Sequence, residues 1–276
     1  MNAAVSLRAA WVESGALGLT GAADGPPLVP PARLLERVAA IGRRVDVDAF
    51  DVLAERAALG GLRRAGQTSC GGATRLLRCT DGWLAVSLAR PDDVASIPAW
   101  LEIDPLRADA DTWGLVDNTL ARERVAVALE RAVLLGLPAA RLGERQAIPG
   151  GPVTSTRCGD AAPAADAQLV VDLSALWAGP VCARVLRHNG AQVVKVESRQ
   201  RPDGARRGPA AFFDALHTGS RAVAVDLDDH GDRERLRALL AAADVVIEAS
   251  RPRALAQHGL DADALVRHGP RVWVSI

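Results

Sequence analysis

The feature that most constrains this chain is a series of short apolar runs, evenly interrupted, between residue 169 and the C-terminus. They read Leu169-Val-Val-Asp-Leu, Gln192-Val-Val-Lys-Val-Glu, Ala222-Val-Ala-Val-Asp, Asp244-Val-Val-Ile-Glu and Arg271-Val-Trp-Val-Ser-Ile. Helix-length stretches separate them, one opening at Gly179-Pro180 and closing at His188-Asn-Gly, another covering Asp229–Ala242. Valine-rich runs suit strands buried on both faces, and such strands alternating with helices predict parallel βαβ units in an α/β, doubly wound, Rossmann-like sheet. Ligands of such sheets lie outside the carboxyl ends of the strands. Here those ends are Ser174–Gly179, Glu197–Gly204, Asp226 and Glu248–Arg251. The last run stays apolar to Ile276, as expected of a chain cut short or of a fold completed by another chain.

Upstream the pattern changes. Residues 147–167 are rich in Pro, Gly, Thr and Ala without apolar periodicity, which predicts a linker. It separates a smaller α+β domain (1–146) from the Rossmann-like domain (168–276). In the first of these, a short opening helix gives way to a loop at Gly21-Ala-Ala-Asp-Gly-Pro-Pro-Leu-Val-Pro-Pro, and residues 32–60 are helical in period. Ala73-Thr-Arg-Leu-Leu-Arg-Cys and Trp83-Leu-Ala-Val-Ser-Leu predict a hairpin turning through Asp81-Gly82. Pro91-Asp-Asp marks a helix start, and Leu120–Leu135 reads as one long amphipathic stretch.

Composition narrows the function classes. Lys+Arg and Asp+Glu both total 33, so the chain lacks the basic footprint of a nucleic-acid binder. No apolar run is long enough to span a bilayer and no secretory leader is evident, so the expectation is a cytoplasmic protein without a membrane partner. Cys70, Cys79, Cys158 and Cys182 form no C-x-x-C pair and have no histidine at ligand spacing, so no metal site is predicted. Lys195 is the sole lysine, and tyrosine is absent.

The loop after the first C-terminal run, Ser174-Ala-Leu-Trp-Ala-Gly-Pro, leads directly into a helix N-terminus, where free N–H groups and the helix dipole receive anions. Glu197 ends the next strand, where a dinucleotide site would place a ribose-binding carboxylate. The G-x-G-x-x-G fingerprint is missing, since the turn carries only Gly179, and this disfavours a nicotinamide or flavin oxidoreductase.

The strings Val171-Asp-Leu-Ser-Ala-Leu-Trp-Ala-Gly-Pro, Gly190-Ala-Gln-Val-Val-Lys-Val-Glu and Pro202-Asp-Gly-Ala-Arg-Arg-Gly-Pro resemble successive segments of the class III CoA-transferase family. That family includes formyl-CoA and carnitine CoA-transferases and α-methylacyl-CoA racemases. His217-Thr-Gly-Ser-Arg-Ala-Val-Ala-Val-Asp-Leu, Ala243-Asp-Val-Val-Ile-Glu, Arg251-Pro and Pro270-Arg-Val-Trp-Val-Ser-Ile continue the resemblance in the same order. Upstream, Glu13-Ser-Gly-Ala-Leu-Gly-Leu-Thr-Gly-Ala-Ala-Asp-Gly-Pro-Pro resembles a segment that normally follows the CoA-binding strands, and the hairpin at Asp81-Gly82-Trp83 and Leu135-Gly-Leu-Pro-Ala-Ala resemble the family's smaller domain. The chain thus resembles a rearranged or truncated member, its second portion preceding its first.

The resemblance implies transfer of CoA between an acyl-CoA thioester and a small carboxylic acid, or racemisation of an α-methylacyl-CoA. The CoA or acyl-CoA is then a substrate, not a permanently bound cofactor, and an interlocked homodimer is implied. Carried over by position, the CoA contacts are Trp177, Ala178, Arg199, His217, Thr218, Gly219, Arg221, Ser250 and Arg251, with the arginines suited to phosphates. The family's nucleophilic aspartate has no identifiable counterpart. Its place falls near Glu36, in a stretch that reads as a solvated helix, and the catalytic residue is unknown. The family's Glu-Asn-Phe is here Glu248-Ala-Ser, the basic residue after it is Gln257, and the arginine after the second-strand glutamate is Ser198, followed by Arg199. These departures favour, as the alternative, a catalytically inactive CoA-binding or assembly module.

Overall fold

The computed structural model describes residues 3–104, 111–144, 153–158, 168–250 and 254–276. Helices α1 (Ala3–Glu13), α2 (Ala32–Arg44) and α3 (Ala49–Gly60) come first. Strands β1 (Thr74–Cys79) and β2 (Gly82–Ser87) follow, then helices α4 (Pro91–Ala95), α5 (Ile97–Leu101), α6 (Thr112–Leu120) and α7 (Val125–Leu134), and strand β3 (Ala139–Arg141). The remainder runs β4 (Leu169–Asp172), α8 (Ala178–His188), β5 (Gln192–Ser198), α9 (Ala210–His217), β6 (Arg221–Val225), α10 (His230–Ala242), β7 (Val245–Glu248), α11 (Ala262–Val266) and β8 (Val272–Ser275).

Two compact units share these elements. One comprises Met1–Ser14, Pro31–Gly61 and Ser155–Ile276, the other Gly15–Pro30 and Leu62–Thr154. The units therefore cut across the linear division at residues 146 and 168, because α1 packs on α2, α2 on α3, and α3 on helix α9 of the C-terminal portion. Arg184 of α8 pairs with Glu55 of α3 at 2.6 Å, and Asn189 donates to the Val45 carbonyl at 3.0 Å. Of the expected linker, residues 153–158 have no regular structure and the rest lie outside the described residues.

In the second unit, β1, β2 and β3 form an antiparallel sheet packed on α5, α6 and α7. Trp100 is buried there with its Nε1 donating to the Ala128 carbonyl at 2.8 Å. The hairpin pairs Cys79 with Gly82, so its turn is Thr80-Asp81, one residue earlier than expected. Gly82 is not in the left-handed region. Asp81 is claimed instead by the Val125 N–H, which its carboxylate accepts at 2.8 Å, capping α7 from outside the helix. The 120–135 stretch is correspondingly broken between α6 and α7, where the Glu123 carbonyl accepts from Thr80 N at 2.9 Å.

In the first unit, β4 to β8 form a parallel sheet in the order β6-β5-β4-β7-β8. The doubly wound α/β architecture predicted from the valine runs is present. Strand order reverses at β4, whose neighbours are β5 and β7, so the crevice between the ends of β4 and β7 is the switch point at which such sheets take ligands. Alternation along the strands divides their side chains between two faces. Val171, Val194, Val196, Val225 and Val246 pack with Leu236 and Leu240 of α10, while Val170, Val193 and Ile247 pack with Ala183 of α8. Helix α9 was not anticipated; its apolar side, Phe212 and Leu216, buries with Ala205 against Trp177 and Val181.

Candidate ligand-binding site

The α8 face of the sheet changes character toward the carboxyl ends of its strands. Two residues beyond Val170 stands Asp172, and two beyond Val193 stands Lys195, followed at the same spacing by Glu197. Asp172 and Lys195 are in register on adjacent strands and both are fully buried. Buried charges persist only when paired and hydrogen-bonded, and here the partners come from the two loops that follow. The Lys195 ammonium lies 3.1 Å from Asp203 Oδ2 and 3.8 Å from Asp172 Oδ2, and it donates to the Ser174 carbonyl.

Each aspartate spends its other oxygen on backbone. Asp172 Oδ1 accepts from Ser174 N at 2.9 Å and from the Ser174 hydroxyl. Asp203 Oδ1 accepts from Leu176 N and Ala205 N, both at 2.9 Å. Leu176 has φ 72°, a left-handed conformation unfavourable for a non-glycine residue. Its amide bond to Asp203 holds the turn through Ser174–Ala178. Gly179 then starts the first turn of α8 directly beneath Ser174; a Cβ there would fall inside the Ser174 side chain. The absence of that atom lets the loop fold onto the helix.

Glu197 completes the cluster at its outer edge. It accepts from Asp203 N at 2.8 Å and receives a two-pronged guanidinium from Arg206, at 2.9 and 2.6 Å. The Arg206 hydrogen bonds lower its pKa to about 2, against the opposing effect of burial. His217 sits with Nε2 3.9 Å from Asp203 Oδ2 and its ring 4.4 Å from that of Phe213. Burial, aided by the positive charge of Lys195, lowers its pKa and keeps the ring neutral at pH 7. Both His217 Nε2 and Trp177 Nε1 are buried without a hydrogen-bond partner. Burial, with Asp172 nearby, raises the pKa of the Cys182 thiol, so this residue is not activated as a nucleophile.

The sequence-predicted positions distribute unevenly about this centre. Trp177 is the N-cap of α8 and Ala178 its exposed first residue. Ser250 lies past β7, across the switch point, where its N–H and hydroxyl donate to Glu248. Arg199 follows β5 with an exposed guanidinium 3.8 Å from Asp232. Thr218 and Gly219, the latter at φ 86°, turn the chain from α9 into β6. Arg221 begins β6 in register with Val194, and alternation puts it with Val225 on the α10 face, opposite Lys195 and His217. Arg251 lies outside the described residues. Glu36 is exposed on α2, and Gln257 is exposed after β7.

What the sequence did not bring together is the supporting charge cluster: Lys195 and Glu197 stand out singly, but their association with Asp172, Ser174, Asp203 and Arg206 does not. The available signal was composition, because the one lysine of an arginine-rich chain sits in the middle of a valine strand. Among the described residues no group of three His, Cys, Asp or Glu side chains is arranged to hold a metal, and no helix is long and apolar enough to cross a membrane.

The first unit thus presents a rigidly held loop and a free helix N-terminus at the switch point of a parallel α/β sheet, an arrangement suited to an anionic ligand. The family model for CoA-transferase family III matches residues 166–275, which span this sheet and its loops. Among similar proteins, a succinyl-CoA:mesaconate CoA-transferase of Haloarcula hispanica is 32% identical over 111 residues, covering 37% of this chain and 28% of that protein. A succinate–glutarate CoA-transferase of Agrobacterium fabrum is 33% identical over 116 residues, covering 37% of this chain and 29% of that protein. A solved CaiB/BaiF family protein from Brucella suis is 34% identical, covers 39% of this chain and 32% of that one, and has a TM-score of 0.37. The chain spans less than a third of each relative. The similarity to CoA-transferase family III is thus confined to residues 166–275, the part of the chain that forms this sheet and its loops.

Proposed function

We propose that the carboxyl end of the β4–β8 sheet binds the CoA moiety of an acyl-CoA, and that the protein acts in moving CoA between a thioester and a small carboxylic acid. The observation that carries this is the coincidence of the family match with the built loop: the matched segment contains both the buried Asp172–Lys195–Asp203 cluster and the loop it holds. Trp177, Ala178 and Ser250 flank the switch point and are the first CoA contacts on this reading, with the free N–H groups of α8 receiving phosphate oxygens. Arg199 and Arg251 supply guanidinium pairing, and His217, Thr218 and Gly219 wall the adenine-nucleotide side. Arg221 serves this site only by reaching around the edge of β6.

A carboxylate nucleophile suits the reaction because its acyl anhydride remains activated toward the incoming CoA or acid, and backbone N–H groups would stabilise the tetrahedral oxyanion. No residue of this chain is assigned that role. Racemisation of an α-methylacyl-CoA, by proton exchange at the α-carbon, uses the same thioester site. The exposed position of Glu36 favours, as a second reading, a CoA-binding module without turnover. A cytoplasmic homodimer is the expected setting.

Differential scanning fluorimetry with CoA and acetyl-CoA tests the binding. A Tm that rises with ligand concentration up to the millimolar range supports the reading; an unchanged Tm counts against it. Exchange of label between acyl-CoA and free acid then separates the two functional readings, since only the transferase carries out that exchange.

A further inference from the structure

Lys195 touches no surface that a ligand could reach, since its side chain is 2% exposed, yet every one of its polar contacts leads to the ligand loop. It donates to the carbonyl of Ser174, the first residue of the loop. It pairs with Asp172, whose other oxygen holds Ser174 N. It pairs more closely with Asp203, whose other oxygen holds the amide of Leu176, the residue in the left-handed conformation. One ammonium therefore joins the ends of β4 and β5 to two points of the loop that carries Trp177 and Ala178.

We propose that Lys195 is a positioning residue for ligand binding: through Ser174, Asp172 and Asp203 it fixes the Ser174–Ala178 loop in the conformation that presents Trp177 and the N-terminus of α8 to a CoA thioester. The proposal rests on the CoA reading for the identity of the ligand, but its structural part does not. A hydrophobic side chain of similar length at position 195 would fill the same space and preserve the strand. It would leave the Ser174 carbonyl without its donor and the two aspartates facing one another. The loop would then lose the tether that offsets the strain at Leu176.

The test uses the full chain carrying Lys195→Met together with Asp203→Asn, which keeps the net charge of the cluster and retains an oxygen at position 203 to accept from Leu176. Leu236→Ala, on the α10 face, is the control for lost stability alone. Two readouts are taken: amide hydrogen exchange at Leu176, and the Kd for acetyl-CoA under conditions where each variant is folded. The proposal expects Leu176 to exchange at least tenfold faster than in the wild type, and the Kd to rise at least tenfold, in the double variant only. Values at the level of Leu236→Ala overturn it. If the double variant does not fold, Asp203→Asn alone, which removes the charge facing Lys195, is held to the same two criteria. If the wild type fails to bind acetyl-CoA, the CoA reading falls, and Leu176 exchange alone decides the role of Lys195.

Discussion

The two faces of the parallel sheet are built from the same five strands and end up unlike. On the α10 face, Val171, Val194, Val196 and Val246 meet Leu236 and Leu240 in an apolar layer. On the α8 face, Val170 and Val193 begin in the same way, but the next inward positions are Asp172 and Lys195. One face is a core, and the other becomes a charged scaffold where the strands end. Hydrophobic burial makes the sheet; the paired charges determine where its loops go.

Replacing Lys195 by Met is the most severe way to break the contrast, because it strands two buried carboxylates without a counter-charge. Removal of one partner of a buried ion pair costs about 3–5 kcal/mol, and urea denaturation of the variant is expected to show a loss of that size. Leu240→Ala disrupts the apolar face instead and is expected to lose about 2–5 kcal/mol, without altering the acetyl-CoA Kd of the folded fraction. Gly179→Ala sharpens the comparison at the loop. The added methyl collides with Ser174, and an overpacking loss of about 1–3 kcal/mol is expected together with weakened CoA binding.

The sheet was legible in the sequence because burial on both faces demands continuous β-branched runs, and Val170-Val171 and Val193-Val194 declare them without reference to anything distant. The site was legible only at its rim. The loop Ser174–Pro180 follows from its place between a strand and a helix, and Trp177 and Ala178 within it from the family resemblance, whereas Asp203 belongs to a loop 31 positions beyond Asp172, and only the fold brings the two to Lys195. The hairpin turn was misplaced by one residue for a similar reason: Asp81 is committed to Val125, 44 residues away. Arg221 and His217 are both contacts implied by the family resemblance, yet strand alternation sends the two to opposite faces of the sheet.

Titration gives a gentler perturbation of the α8 face. Glu197 has a folded pKa of about 2 against an ordinary 4.5, so its contribution to stability is complete above pH 4.5 and declines as pH falls toward 2. Arg206→Ala is expected to raise that folded pKa and flatten the decline, observable by NMR titration of the Glu197 carboxyl and by Tm across pH 2–5. His217 acts in a higher window. Its folded pKa is lowered from 6.5, so the unfolded chain takes up the proton first, and stability falls as pH drops below 6.5 until the folded ring also protonates. His217→Phe is expected to remove that segment of the pH dependence, leaving the apolar face unaffected.

Calorimetric titration of the full chain with acetyl-CoA, run beside Ala178→Asp, tests the central claim most directly. Ala178 is exposed at the first position of α8, where a carboxylate stabilises a helix through its dipole while repelling an anionic ligand. The account predicts saturable binding to the wild type and a Kd at least tenfold higher for Ala178→Asp, with no loss of Tm. Absence of binding at millimolar acetyl-CoA, or equal affinity in the two proteins, would contradict it.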